Sequence, residues 1–129
     1  MAPRQTSPVR ITTFPISARH VTSMAVCGVA MVLSSRREFI APGSPIYDYL
    51  LKGPQAALTA AKVQDWTFLI LVGLHAAEVP LFAITKLRKH GVPFFSVVWW
   101  KWAASCFLGG AATWKHFAAT VKVAEAKRI

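Results

Sequence analysis

Acidic residues are scarce in this chain. Five Asp and Glu stand against 15 Lys and Arg in 129 residues, and none precedes Glu38. Charged residues of both signs make up only 16% of the sequence, against about 25% in typical soluble domains. That is too little charge to clothe a small globule in polar side chains. Cysteine is nearly lacking: Cys27 and Cys106 each sit inside an apolar run, and two thiols exclude a disulfide-stapled scaffold and a tetrahedral zinc site. There is no Gly-rich phosphate loop, no HExxH, no CxxC, and no serine in a nucleophile-elbow sequence. The reactions that those motifs carry are therefore not expected.

What the chain has in abundance is apolar surface. Hydrophobic residues reach 54% with a mean hydropathy of +0.42, and they fall in blocks. The cations flank those blocks. Arg4, Arg10 and Arg19 precede the first, and Arg36 and Arg37 follow it. Lys86, Arg88 and Lys89 separate the second from the third, and Lys115, Lys122, Lys127 and Arg128 follow the last. Flanking cations suit an anionic lipid surface and fix helix ends there. A net charge of +10 would also suit nucleic acid, but no Lys/Arg stripe interleaved with stacking aromatics is present, and no nucleic-acid partner is expected.

Residues 1–20 are basic, and Pro3, Pro8 and Pro15 interrupt any helix, so a disordered basic tail is expected ahead of a mitochondrial presequence. The first apolar block, 21–35, is short for a bilayer, with Arg19 and Arg36 placed to snorkel outward and lengthen it. The stretch 38–64 is the longest polar connection, with Ala41-Pro42-Gly43-Ser44-Pro45 as a loop signal and an Ala-rich run after Gly53-Pro54 suited to a short interfacial helix. Asp65 is a plausible N-cap for the second block, and Trp66–Ile84 is 19 residues, about 28 Å of helix and a match to a hydrocarbon core. Pro80 should bend it. The third block, 92–114, is broken only by Lys101, and Gly109-Gly110-Ala111-Ala112 offers a smooth face for close helix approach. A basic tail that can continue the helix fills 115–129. The expectation is an all-α, small integral membrane bundle of about three transmembrane helices, at 21–35, 66–84 and 92–114.

Three ionisable residues fall at hydrocarbon depth: His75, Glu78 and Lys101. His75 and Glu78 share one helix face, and a short turn makes the second and third helices antiparallel, bringing Lys101 to a similar depth. Three readings follow. Glu78 and Lys101 can neutralise each other as a packing clamp with His75 bonding across the helices. The cluster can instead be a catalytic site, with His75 or Glu78 moving a proton on a lipophilic substrate. Or Lys101 snorkels to the interface beside its tryptophans and no cluster forms. His20, His90 and His116 sit beside cations at helix ends, where interfacial roles are favoured over metal ligation. No cofactor or metal is expected.

The stretch Leu74-His75-Ala76-Ala77-Glu78, the basic turn after it, and the Trp-rich segment leading to Phe107-Leu108-Gly109 resemble the transmembrane protein 254 family, small eukaryotic membrane proteins sharing a domain of unknown function. The resemblance covers roughly residues 65–114; Lys101 and the Trp99-Trp100 pair depart from its pattern. It implies a three-helix integral membrane protein and no particular reaction.

Function is thus expected to be a scaffold or accessory role in a multi-pass membrane protein, not enzymatic, with the lipid bilayer and another membrane protein or a second copy as partners. The alternative is a small enzyme or accessory of lipid, sterol or terpenoid metabolism using His75, Glu78 and Lys101. An endoplasmic-reticulum or other endomembrane site is expected ahead of a mitochondrial membrane. With three spans, six cations fall on one side and eight on the other, which leaves orientation open, although the compact basic turn at 86–89 favours the cytosol for that loop.

Overall fold

A computed structural model describes residues 7–128, and these contain helices and loops with no strand. Helix α1 spans Ala18–Ser35. A 3-10 turn, Arg37–Ile40, and a π-helical turn, Ile46–Leu51, lead to α2, Pro54–Phe82, which has proline in its first turn and runs on through a π-helical turn, Ala83–Leu87. Helices α3, Val97–Gly109, and α4, Ala111–Ala126, complete the chain. Pro54 suits a helix start, because its missing N–H would have had no partner there. Ser96 caps α3 by accepting from the Trp99 N–H at 3.2 Å, which satisfies one of the donors every helix start leaves over.

α1 and α2 pack antiparallel. At the far end of α1 the last carbonyls of the helix need partners, and Gln64 of α2 supplies them. Its Nε2 donates to the carbonyls of Leu33 and Arg36, both at 2.8 Å. Its Oε1 accepts from the Arg37 guanidinium at 2.9 Å. The same guanidinium meets both carboxylate oxygens of Asp65 at 2.8 Å. Gln64 is buried, so all its bonding is internal. Asp65, expected as an N-cap, lies inside α2 and is an ion-pair partner instead.

The expected continuous helix over 92–114 is two helices. Gly110 adopts φ 52° and ψ −124°, a region open to glycine alone, and the chain reverses there. Thr113 donates back to the Ser105 carbonyl at 2.6 Å, and the rings of Trp102 and Phe117 lie edge to face at 4.9 Å. α3 and α4 are therefore a hairpin. Its tip wedges between α1 and α2: a Cβ on Gly109 would come within 3.2 Å of Met24 Cγ, and one on Gly110 within 2.6 Å of His75 Nε2. α4 then returns to the end it came from, where Phe117 packs on His90.

Residues 7–17 also depart from expectation. They form an extended, ordered segment, with Val9 and Ile11 buried beside Phe82, Leu87, Trp102 and Phe117. Ile11 N–H donates to the His90 carbonyl at 2.9 Å, and Trp102 Nε1 donates to the Thr13 carbonyl at 3.1 Å. Two buried apolar side chains and these bonds offset the entropy a free tail would retain. Residues 1–6 and 129 lie outside the described residues. The expected C-terminal tail is helical through Ala126, and Arg128 donates to the Ser7 carbonyl at 2.8 Å. The N-terminal segment, the 88–96 turn and the end of α4 thus share one end of the molecule; the α1–α2 connection occupies the other.

Among the described helices, one is long and apolar enough to cross a membrane: the continuous helix Pro54–Leu87, with 6% of its most apolar stretch buried. α1 is diluted by Arg19, His20, Thr22 and Ser23. α3, with 13 residues, is about 20 Å long and too short to cross alone.

The Gln64→Leu variant should lose about 2–4 kcal/mol in detergent-micelle unfolding, because it strands two helix-end carbonyls and part of a guanidinium.

Candidate functional site

The hairpin tip brings the sequence-derived candidates to one place, except for one of them. His75 and Glu78, one turn apart on α2, both point at Gly110: its added Cβ would lie 2.6 Å from His75 Nε2 and 3.0 Å from Glu78 Oε2. His75 Nδ1 bonds the Phe107 carbonyl at 2.6 Å. A carbonyl can only accept, so Nδ1 carries the proton and Nε2 faces the glycine. Phe107 lies in the last turn of α3, where carbonyls lack intrahelical partners. The histidine is therefore a C-terminal cap delivered from a neighbouring helix.

Lys101 does not join them. It lies exposed on α3, and the two ion pairs among the described residues are Arg36–Glu38 and Arg37–Asp65. The Glu78–Lys101 clamp is corrected by this arrangement: Lys101 is exposed and makes no ion pair among the described residues. Glu78 Oε2 is instead buried without a hydrogen-bond partner, as is Trp114 Nε1. The Cys106 thiol of α3 lies close to both. Sequence reading missed Gly110, Trp114 and Cys106 around Glu78; Trp114 arrives there only through the chain reversal.

A second polar junction lies on the other side of the hairpin tip. His20 Nε2 and Thr113 Oγ1 are 2.9 Å apart. Thr113 spends its only hydrogen on the Ser105 carbonyl, so His20 must be the donor, and its Nδ1 is left without a proton in the neutral ring. The His116 ring stacks on it at 4.3 Å and donates through Nε2 to the Pro15 carbonyl at 2.7 Å. His90 Nδ1 likewise bonds the Val9 carbonyl at 2.8 Å. Among the described residues no group of three or more His, Cys, Asp or Glu is placed to hold a metal ion.

No match to the chain is found among protein-family models, curated proteins or solved structures.

Gly110→Ala should cost at least ~2 kcal/mol, from the forced positive φ and the overlap with His75, and should lower the yield of folded protein; Gly73→Ala, where an added Cβ meets nothing within 4 Å, is the control.

Proposed function

We propose that this is a non-enzymatic membrane protein, a scaffold or accessory subunit that crosses the bilayer with α1 and α2 and dips α3–α4 into one leaflet as a re-entrant hairpin. The observation that carries the non-enzymatic reading is the contact at Gly110. His75 and Glu78 are packed directly on a glycine, with less than one carbon's space between them. A substrate would need that space. The pair serves to seat the hairpin.

The membrane reading rests on the outward faces. Leu69, Ile70, Leu74, Leu81 and Ile84 of α2 and Val26, Val29 and Val32 of α1 are exposed, an apolar belt that water would not support. Aromatic anchors stand at both ends of that belt: Trp66 and Tyr49 at one, Phe94, Phe95 and Trp100 at the other, as at bilayer interfaces. The non-helical backbone at the hairpin tip is acceptable at such depth because Gly109 and Gly110 are buried in protein.

With two crossings the charge count becomes lopsided. Arg10, Arg19, Lys86, Arg88, Lys89, Lys101, Lys115, Lys122, Lys127 and Arg128 belong to the end holding both termini, against Arg36, Arg37, Lys52 and Lys62 at the other. The positive-inside tendency assigns the richer end to the cytosol, in an endomembrane such as the endoplasmic reticulum. The resemblance to the transmembrane protein 254 family supports a small integral membrane protein.

Tags on both termini, carbonate extraction and protease digestion of sealed microsomes test this. The protein should stay in the pellet, and both tags should be digested. One tag protected means a third crossing and overturns the hairpin topology; release by carbonate overturns membrane integration. In the same experiment His75→Ala, which strands the Phe107 carbonyl, should reduce inserted protein several-fold, and unchanged abundance would remove the seating role.

A further inference from the structure

Beside the His20–Thr113 junction, a cavity of about 490 Å³ opens between the first turn of α1 and the first turns of α4. Ser17, Arg19, His20, Ser23, Lys115 and His116 line it, and no carboxylate does. We propose that this cavity binds a phosphoryl group, carried by a lipid headgroup or by a soluble phosphate ester.

The charge of the cavity is uncompensated. Neither Arg19 nor Lys115 has an ion-pair partner among the described residues, and the first turns of α1 and α4 contain no acidic residue. Backbone donors add to the side chains. Ser17 is the N-cap of α1 but makes no side-chain capping bond, so the first N–H groups of the helix and the serine hydroxyl are all available at the cavity wall. A helix start with unspent donors favours an anion, and here it converges with a guanidinium and an ammonium from two different helices. Donors arriving from several directions match the three or more oxygens of a phosphoryl group better than the two of a carboxylate. The volume exceeds that of phosphate alone and leaves room for the esterified alcohol.

The level of the cavity favours the lipid as source, a point that rests on the membrane reading above. Arg19 and Arg36 are 17 residues apart on α1, about 25 Å of helix. With Arg36 and the adjoining Arg37–Asp65 pair at one headgroup plane, Arg19 lies near the other. A phospholipid phosphate in that leaflet meets the cavity without leaving the bilayer.

The test uses the full chain in neutral-detergent micelles, with phosphatidate counted by native mass spectrometry and diacylglycerol as the headgroup-free control. The wild type should retain phosphatidate and not diacylglycerol. Arg19→Gln/Lys115→Gln should reduce retention about tenfold or more, whereas Arg88→Gln/Lys89→Gln, an equal change of charge on the exposed turn, should not. Equal loss in the two double variants, or no retention by the wild type, overturns the site. Ser17→Asp separates binding from folding: it supplies the missing cap and a competing carboxylate, so thermal stability should rise while phosphatidate is excluded. Unchanged retention in that variant also overturns the site. Competition by millimolar inorganic phosphate identifies a site that accepts the soluble source too; resistance to it identifies one that requires the lipid. Release of the protein by carbonate would remove the lipid source, whereas failure in micelles removes the site alone.

Discussion

A φ of 52° with ψ −124° at Gly110 is a backbone state that side chains forbid, and every contact that α4 makes depends on it. The reversal carries Phe117 back to Phe82 and His90, and Trp114 to Phe82. It brings His116 beside His20. It also lets the hairpin tip approach two helices at once, with Met24 on one side and His75 on the other. A side chain at either tip glycine would push the hairpin outward, and the extended N-terminal segment would lose the surface on which it lies.

The shortage of carboxylates explains how the polar backbone is satisfied. With five acids in the chain, most exposed carbonyls and helix ends cannot rely on ionic partners. Neutral and cationic donors take their place. His75 caps Phe107, Gln64 caps Leu33 and Arg36, and the carbonyls of Val9, Thr13 and Pro15 receive His90, Trp102 and His116 in turn. Each donor bridges elements distant in sequence, so local capping becomes tertiary structure. The lining of the α1–α4 cavity reflects the same shortage from the other side: the donors at the start of α1 are plentiful, and no carboxylate is at hand to accept from them.

How far this was legible varies from residue to residue. Trp66–Ile84 announced α2 because a long uncharged run has few other solutions. The block 21–35 was less plain, being short and diluted by Thr22, Ser23 and Gly28, and its helix begins earlier, at Ala18. The hairpin was not, because Gly109-Gly110 inside an apolar run reads equally well as a packing face; hydropathy is blind to chain direction, and only a backbone angle distinguishes the two. Lys101 gave a similar ambiguity, since depth counted along a straight helix says nothing about which way the side chain leaves it. The His75–Glu78 pair was visible from its spacing, but its neighbour Gly110 has no side chain to signal a contact. The ordering of residues 7–17 was hidden because its partners, His90, Trp102 and His116, come from across the chain.

That last separation has a consequence for how the molecule is made. Synthesis delivers residues 9–15 first, yet the groups that bind them are among the last third to leave the ribosome. The antiparallel pair of α1 and α2 can assemble while the leading segment still has no surface to dock on. Val9 and Ile11 acquire their first neighbours with Phe82, Leu87, His90 and Trp102, and the carbonyl of Pro15 acquires His116 only when α4 has been made and folded back. The segment 7–17 is thus the closing piece of the fold, held also by the bonds from Arg128 to Ser7.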